Sequence, residues 1–319
     1  DESLKEYVRA IDRWERCPGH RTTYPVIVAK IDYQTLVSWR QWLVEEYGAG
    51  PANKHVTALH SILDASARAG HSPCVSKLKR LPVRTAALKR YLTREQLGAL
   101  YEACSVAAWP TKSQSGHPLW YTPATYWRAA LVLYTCYGFR TEELIAWKPN
   151  QSPVKWGQVS WESETPAPDG SARCPHGWFY YVPQKQRRDK PEPLYLPLSA
   201  VAAAHVRSIT PPNGVNADRP IFDWPRNHKA FYATWTAIVT HAGLRPKPDP
   251  RAKIVAKYEV KHLRKTCETL FDQQFPGQGI GPLITGHAAR SISDQHYLNS
   301  EVRVLDAVLA FTMPTAWTA

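Results

Sequence analysis

The sequence lacks the cysteine pairs that hold metals or form disulfide frameworks. Its 319 residues include six cysteines, and no two of them form a Cys-x-x-Cys pair. Scattered cysteines of this kind are typical of reduced thiols in an intracellular protein. The nearest approach to a metal motif is Cys17-Pro18-Gly19-His20 together with Cys174-Pro175-His176. Two such fragments far apart in proline-rich turns are weak evidence for zinc, and we expect no metal site.

Other familiar sites and segments are also missing. There is no acidic cluster of the kind that holds magnesium, and no Gly-x-x-x-x-Gly-Lys loop to bind nucleotide phosphates. The longest apolar run, residues 129–139, is interrupted by Tyr134 and Thr135 and is too short to span a bilayer. No secretory signal heads the sequence, although its start at Asp1 leaves the true N-terminus open. We therefore expect a cytoplasmic globular protein that uses neither ATP nor another cofactor.

Positive charge is in excess. Forty Lys and Arg residues against 27 Asp and Glu leave a formal net charge of +13, so a polyanionic partner is the first expectation. Charge alone does not separate DNA from RNA or from an acidic membrane. Residues 76–94 contain no acid and carry seven of the cations: Lys77, Lys79, Arg80, Arg84, Lys89, Arg90 and Arg94. Such a run is most often a solvated face, but it can also lie along a phosphate backbone.

The basic run falls where the sequence pattern changes, and the length allows two domains. Apolar residues at helical spacing fill residues 3–68, for example Leu4, Tyr7, Val8 and Ile11 in the first segment. We predict a helical domain over residues 1–91, with a basic linker at about 76–92. A second domain is predicted over residues 92–319.

One helix of the first domain has a polar face. Gly48, Gly50 and Pro51 interrupt the chain, and Asn53 is predicted to cap the helix that follows. The first turn of this helix carries Lys54 and His55, and His60 lies further along. We expect something to dock on this polar face.

In the second domain, an arginine lies at a predicted helix boundary. Thr93, with Gln96, predicts one helix start, and Thr122-Pro123 predicts another helix that ends at Gly138. Arg140 follows this end directly, ahead of a helix that Thr141 can cap. Its guanidinium and the unpaired backbone N–H groups can face one phosphate, with Glu143 holding the guanidinium plane. The alternative is a surface arginine simply paired to Glu143.

Strand-forming residues occur at three places beyond this point. Residues 154–159, 178–182 and 194–196 are predicted to form a small antiparallel sheet. Helices are predicted again from Ser199 and around residues 231–239. The final segment, residues 301–311, places four apolar residues along one side: Val302, Leu305, Val308 and Leu309. The fold class is therefore mainly α with a small antiparallel β-sheet.

The most informative stretch runs from Lys261 to Tyr297. Lys261 and Arg264 are three apart and share a helix face, so they are predicted to present two cations to one anion. Gly286-His287 follows, and Tyr297 comes ten residues after the histidine, on a short helix that Ser291 or Ser293 can cap. A tyrosine beside Arg, Lys and His is a candidate nucleophile toward a phosphodiester. The alternative is a buried tyrosine and a solvated basic helix.

Three segments resemble, in order and spacing, the signature blocks of the tyrosine recombinase (phage-type integrase) family. They are Gly138-Phe139-Arg140-Thr141-Glu142-Glu143-Leu144, Lys261-His262-Leu263-Arg264, and Leu283-Ile284-Thr285-Gly286-His287 through Tyr297. The resemblance implies a helical, SAM-like core-binding domain and an α+β catalytic domain of the DNA breaking-rejoining type. It also implies that the two domains close around double-stranded DNA as a C-shaped clamp.

The same resemblance implies roles for individual residues. Tyr297 would attack the scissile phosphate and leave a 3′-phosphotyrosyl link, Arg140 and Arg264 would hold the non-bridging oxygens, and His287 would donate a hydrogen bond. A hairpin lysine would act as general acid; Lys185 matches its position best and Lys190 is the alternative. Phosphate contacts from the first domain and linker are expected from Lys54, His55, Lys77, Lys79, Arg80 and Arg84.

One position departs from the family pattern. The block around Arg264 usually begins with a histidine three residues earlier, where this sequence has Lys261, with His262 one step along. A shift of one residue rotates a side chain by about 100° on a helix, so His262 is expected to point elsewhere. Lys261 can supply charge at that position.

The resemblance further implies a site-specific recombinase of a mobile element or chromosome, associated with the nucleoid. It would act as a homo-oligomer on DNA, a tetramer of two dimers, and its C-terminal helix would either pack on its own core or be donated to a neighbour. A type IB topoisomerase or a hairpin telomere resolvase would use the same residues. A catalytically silent DNA-binding factor is the third possibility.

Overall fold

The computed structural model describes residues 2–18, 31–83, 91–147, 151–161, 174–182, 194–225, 227–245, 258–286 and 300–317. The chain divides into two compact units, Asp1–Leu88 and Lys89–Ala319, each with its own core. Among the described residues, no helix combines the length and apolar character needed to cross a bilayer.

The first unit is a helical bundle. Its described helices are α1 (Glu2–Arg16), α2 (Tyr33–Tyr47) and α3 (Ala49–Arg68), and α3 packs against both of the others. Trp14 of α1 meets Trp39 of α2 edge to face, with ring centroids 5.2 Å apart. Both tryptophans are buried, together with Leu43 and Leu59.

The buried face of α1 differs from the apolar stripe that predicted the helix. Leu4, Val8 and Ile11 are 60%, 58% and 41% exposed, whereas Ala10 and Trp14 are buried. The large Trp14 side chain contacts Trp39 and sets which face of α1 turns inward. Helical spacing therefore identified the element correctly but not its core-facing side.

The start of α3 also differs from the prediction. The chain turns at Gly48, with φ of +82°, and the helix already contains Gly50 and Pro51. A proline is tolerated there because the first turn of a helix leaves its N–H groups unpaired. Asn53 is consequently a residue of the helix and not its cap, and its side chain is available for other contacts.

The second unit is mixed. Its described helices are α4 (Arg94–Ala103), α5 (Pro123–Tyr137), α6 (Thr141–Leu144), α7 (Ala200–Ser208), α8 (His228–His241), α9 (Lys261–Gln274), α10 (Ile280–Ile284) and α11 (Ser300–Ala310). Helix α5 is the central rod, buried over most of its length and packed against α7 and α9. The predicted class, mainly helical with a small sheet, is confirmed.

Most helix boundaries in this unit follow the predicted caps. Thr93 and Gln96 form a capping box at the start of α4, and the Thr122 hydroxyl accepts from the Thr125 N–H (3.1 Å) at the start of α5. Gly138 ends α5 in the left-handed conformation. Ser199 caps α7 by accepting from Ala202 N–H (3.2 Å).

The antiparallel sheet has the order β1-β2-β3, with β1 at Val159–Ser160, β2 at Trp178–Tyr181 and β3 at Leu194–Pro197. The first strand is far shorter than predicted, because Trp156–Gln158 form a 3₁₀ turn. Two backbone N–H groups of this segment instead donate to distant carbonyls, Trp156 to Arg219 (2.9 Å) and Gly157 to Ala217 (2.9 Å).

Helix α11 packs on its own chain. Leu305 is buried with Cys174 and Trp178, and Phe311 stacks on Phe271 of α9 with centroids 4.2 Å apart. Of the predicted apolar side, Leu309 is 41% exposed and does not belong to the buried face. Of the two arrangements that the sequence left open, this structure of a single chain has the intramolecular one.

Candidate functional site

The site is built around the turn that ends α5. Gly138 has φ of +59°, a conformation that suits glycine, and its N–H donates to Tyr134 O (3.1 Å). A Cβ atom at this position would lie 2.5 Å from Thr285 Cγ2. The glycine therefore lets the end of α5 approach the C-terminal end of α10.

Arg140 is the residue immediately before α6. Its backbone N–H donates to Glu143 Oε2 (2.6 Å), and its Nη1 donates to Glu143 Oε1 (2.7 Å). The Glu143 side chain is 1% exposed and that of Arg140 is 23% exposed. The cap of α6 is thus a glutamate three residues inside, and not Thr141 as predicted, and the same carboxylate fixes the guanidinium.

Arg264 of α9 reaches the same place from another element. Its Nη1 donates to Gly138 O (2.6 Å), and its Nη2 donates to Thr285 O. Its Nη1 also lies 4.0 Å from Glu143 Oε2, and its side chain is only 13% exposed. Two guanidinium groups therefore share one carboxylate at a partly buried position.

A further contact secures the Thr285 side of this cluster. The Thr285 hydroxyl donates to Glu268 Oε1 (2.9 Å) and lies 3.0 Å from Gly281 O. Thr285 is fully buried. Because its carbonyl accepts from Arg264, these contacts help to fix the guanidinium plane.

Lys261 lies at the exposed start of α9. Its Nζ is 2.5 Å from Glu259 Oε2, and its side chain is 69% exposed. The two cations predicted to face one anion are therefore held differently. Arg264 is held by backbone carbonyls, and Lys261 is held by a neighbouring carboxylate. His262 Nδ1 accepts from the Glu259 N–H (2.9 Å), so this histidine stabilises the first turn of α9.

Tyr232 of α8 is a neighbour of the site that the sequence pattern did not indicate. Burial raises the pKa of its phenol, a hydrogen bond with the Thr141 side chain lowers it, Glu142 and Glu259 raise it, and Lys261 lowers it. These groups lie at or just before the starts of α6 and α9, so the phenol lies near the start of both helices. The apolar spacing that predicts α8 describes the buried side of the helix and gives no information about Tyr232.

Several predicted site residues lie outside the described residues. They are Lys185 and its alternative Lys190, His287, Tyr297, the capping serines Ser291 and Ser293, and Arg84. Gly286, which precedes His287 in sequence, has φ of +68° and its N–H donates to Leu283 O (3.1 Å).

The basic residues predicted for the first unit are mostly at its surface. Lys54, Lys79 and Arg80 are exposed, and the exposed Lys77 pairs with Asp64 at 3.0 Å. His55 is half-buried, and burial, with Arg13 as the next cause, lowers the pKa of its ring. His55 therefore favours the neutral form.

The polar face of α3 docks a segment of the chain itself. Asn53 Nδ2 donates to Leu81 O (2.9 Å) while its Oδ1 accepts from the Leu81 N–H (3.0 Å). The buried His60 accepts from the Leu78 N–H through Nε2 (3.1 Å). Two side chains of α3 thus pair with backbone groups in the first part of the predicted basic linker.

Within the described ranges, no three His, Cys, Asp or Glu residues are placed to hold a metal ion. Cys17 and Cys174 are both buried, and they belong to different units. His20 of the first fragment lies outside the described residues.

The two-unit helical architecture, the three-stranded sheet and the arginine cluster beyond α5 define a class: the chain has the fold of the tyrosine recombinases. No protein-family model matches the sequence, and no curated protein matches it either. Solved structures do match, and the predicted family resemblance is confirmed at the level of the fold.

Three of the matched structures, each a complex with DNA, show the extent of the likeness. A lambda integrase dimer bound to a COC′ core site matches with a TM-score of 0.58 and 14% identity, over 92% of this chain and 88% of that chain. A lambda integrase tetramer on a Holliday junction gives 0.55 and 13%, over 94% and 72%. The pre-cleavage complex of XerH site-specific recombinase with difH gives 0.52 and 15%, over 95% and 76%. At this level of identity the likeness is one of fold.

Proposed function

We propose that this chain is a site-specific DNA recombinase or integrase that cleaves and rejoins DNA strands through a 3′-phosphotyrosyl intermediate, without metal or ATP. The observation that supports it most directly is the convergence of Arg140 and Arg264 on Glu143. These arginines are 124 residues apart in sequence and come from separate elements.

The arginine cluster suits a phosphodiester. In-line attack puts extra negative charge on the non-bridging oxygens, and prepositioned cations stabilise that charge more in the transition state than in the ground state. Guanidinium groups match phosphate oxygens because they offer paired N–H donors in one plane. Fixing Arg264 with the Gly138 and Thr285 carbonyls lowers the cost of orienting it during the reaction.

The remaining roles follow the family pattern. Tyr297 releases its phenolic proton to solvent as its oxygen attacks phosphorus, the bond from phosphorus to the 5′-oxygen breaks, and Lys185 gives the departing oxygen a proton. His287 donates a hydrogen bond to the phosphate. The phosphotyrosyl link conserves the energy of the broken bond, so a 5′-hydroxyl from another strand can reverse the step without ATP. Lys261 adds charge at the rim.

The first unit and linker would hold the duplex. The expected phosphate contacts come from Lys54, His55, Lys77, Lys79, Arg80 and Arg84, and contacts of this kind position a protein without reading sequence. The matched lambda integrase structures are a dimer and a tetramer on DNA, which supports a homo-oligomer here. The protein would work at the nucleoid, in the cytoplasm.

Covalent trapping tests the proposal. The protein is incubated with genomic DNA fragments, denatured and recovered with any covalently attached DNA, whose ends are then sequenced to locate the cleaved site. An oligonucleotide carrying that site, nicked next to the scissile phosphate, traps the intermediate because the small cleaved fragment diffuses away. We expect a covalent adduct with the native chain and none with Tyr297→Phe.

The outcomes separate the alternatives. DNA binding without any adduct would identify a silent DNA-binding factor and contradict the proposal. If the protein forms the adduct and relaxes supercoiled DNA but never joins strands from two duplexes, it is a topoisomerase. A recombinase joins strands between duplexes that carry the mapped site.

A further inference from the structure

A second concave site lies at the other end of α5. It is a cavity of about 210 Å³ whose lining includes three aromatic side chains, Trp120, Tyr121 and Trp156, and two charged ones, Arg219 and Asp223. Pockets for drug-sized ligands occupy roughly 300–1,000 Å³, so this one suits a compact chemical group.

This cavity is separate from the arginine cluster. Tyr121 precedes the first residue of α5 by two positions, whereas Gly138 and Arg140 follow its last residue. A helix of 15 residues is about 22 Å long at 1.5 Å per residue. A ligand of this cavity would therefore not occupy the proposed catalytic site.

The aromatic walls meet at nearly a right angle. The Trp120 and Tyr121 rings are 5.1 Å apart with an interplanar angle of 83°. The Trp120 Nε1–H already donates to Ile209 O (3.2 Å), yet 46% of this residue is exposed. A tryptophan held in place with its N–H paired and its ring open to solvent is suited to binding a ligand through the ring.

Asp223 gives the cavity an acidic side. Burial raises the pKa of its carboxyl, while a hydrogen bond from the Gln114 N–H (3.1 Å) and the nearby Arg219 lower it. Arg219 itself is exposed and donates to Ser115 Oγ (3.4 Å). The carboxylate is thus partly desolvated, and a cation inside the cavity would compensate for that loss.

From this arrangement we infer that the cavity binds an organic cation of quaternary-ammonium type, through the faces of Trp120 and Tyr121 and the charge of Asp223. Such cations carry diffuse charge and weak hydration, so they lose little on leaving water, and aromatic faces attract them electrostatically. The cation can be a free molecule such as choline or a methylated lysine of another protein, since both present the same group.

The test measures binding of tetramethylammonium by isothermal titration calorimetry at constant ionic strength. 3,3-Dimethylbutan-1-ol, the neutral isostere of choline, serves as the uncharged comparison ligand. We expect saturable binding of the cation and at least tenfold weaker binding of the alcohol. Choline and a short peptide carrying trimethyl-lysine are titrated in parallel, and the tighter of the two identifies the source.

Three variants assign the binding to this cavity. Trp120→Ala and Asp223→Asn should each weaken tetramethylammonium binding by about tenfold. Arg219→Gln should strengthen it, because it removes the competing positive charge. Tyr33→Ala removes an aromatic ring of similar exposure, 44% against 46%, from the first unit and should leave binding unchanged.

The inference fails if tetramethylammonium does not saturate, if the neutral alcohol binds as tightly, or if Arg219→Gln weakens binding. Circular dichroism of each variant checks folding. A loss seen in Trp120→Ala but also in Tyr33→Ala would overturn the assignment to this cavity.

Discussion

Glu143 sets the positions of both arginines in the proposed site. Its carboxylate binds the Arg140 guanidinium, accepts from the Arg140 backbone and lies 4.0 Å from Arg264 Nη1. A buried carboxylate that serves two cations costs less free energy than one left unpaired, and removing it takes that shared negative charge away from both arginines. Its effect on the chemistry acts through those arginines.

We expect Glu143→Gln to slow formation of the covalent DNA adduct by up to about 10²-fold, comparable to the loss of one charge-stabilising donor. The amide keeps the size of the side chain but binds guanidinium more weakly. Glu142→Gln makes the same chemical change one residue earlier and should have a much smaller effect. Single-turnover cleavage of the mapped site is the measurement, and equal rates for the two variants would contradict the role of Glu143.

Some contacts of single residues in the site can be predicted from the sequence, and others cannot. The convergence of Arg140 and Arg264 was predictable because each lies in a recognisable block. The pairing of Lys261 with Glu259 was not, because helical spacing describes faces and not which carboxylate a flexible lysine side chain meets. Tyr232 was missed for a related reason, since its surroundings come from α6 and α9, which are distant in sequence.

At the scale of elements, Gly138 is where α5 approaches α9 and α10. We expect Gly138→Ala to destabilise the protein in two ways. Its positive φ costs roughly 1–2 kcal/mol for a residue with a Cβ, and the contact 2.5 Å from Thr285 Cγ2 adds about 1–3 kcal/mol of overpacking.

Gly243→Ala is the matched control for this prediction. Gly243 has φ of +69° and no atom within 4 Å of the added Cβ, so only the backbone cost applies. Urea denaturation should show a larger loss for Gly138→Ala, together with a slower cleavage rate because Arg264 is displaced. Equal losses of unfolding free energy in the two variants would mean that α10 shifts to accommodate the added methyl group at no cost.

The docking of the linker on α3 carries a pH dependence. Burial lowers the pKa of His60, with Lys77 lowering it and Asp64 raising it as smaller causes, and its Nε2 must be unprotonated to accept from Leu78. The unfolded chain therefore binds the proton more readily. The free energy of unfolding should fall as the pH drops below the ordinary histidine value of 6.5 toward the lowered one.

His60→Gln should make stability less dependent on pH in this range. Glutamine can still accept a hydrogen bond but does not titrate. His71→Gln, at an exposed histidine of the same unit, is the control. Because burial also lowers the pKa of His55 and His205, part of the dependence should remain. Denaturation at pH 7.5 and 5.5 compares the three proteins.

Element boundaries were predictable where local chemistry decides them. Thr93, Thr122 and Ser199 cap helices as expected, because a side-chain oxygen next to unpaired N–H groups is a local property. The first strand was misjudged because Trp156 and Gly157 donate to carbonyls some sixty residues further along the chain. The start of α3 was misjudged because Pro51 fits the first turn that it was expected to break.

At the scale of the whole molecule, the excess of basic residues should appear in the salt dependence of DNA binding. Each phosphate contact contributes about −0.9 to the slope of log K against log salt concentration. Lys54→Ala and Arg80→Ala should each make the slope shallower by about that amount and weaken binding to all sequences alike. Arg16→Ala removes an exposed cation outside the predicted set, and its slope should match that of the native chain. Fluorescence anisotropy at several salt concentrations provides the measurement, and a flat response would argue against DNA as the partner.

The fold of the molecule was more accessible from the sequence than its assembly. Periodicity and three motif blocks predicted a mainly helical chain with a small sheet, and the matched structures have the same fold. Whether α11 stays on its own chain was left open, because an apolar stripe describes what must be covered and not which copy covers it.

The packing of α11 on its own chain has a consequence for how protomers can associate. Leu305 and Phe311 fill places that would be uncovered if the helix left. A protomer that gave its helix away would regain that burial only by receiving an identical one. In a closed ring, every surface exposed by a departing helix is covered by the helix of a neighbour. In an open chain of protomers, one end protomer keeps this surface exposed. Exchange of the helix would thus favour closed rings over open assemblies. It would use only the contacts that a single chain already makes within itself.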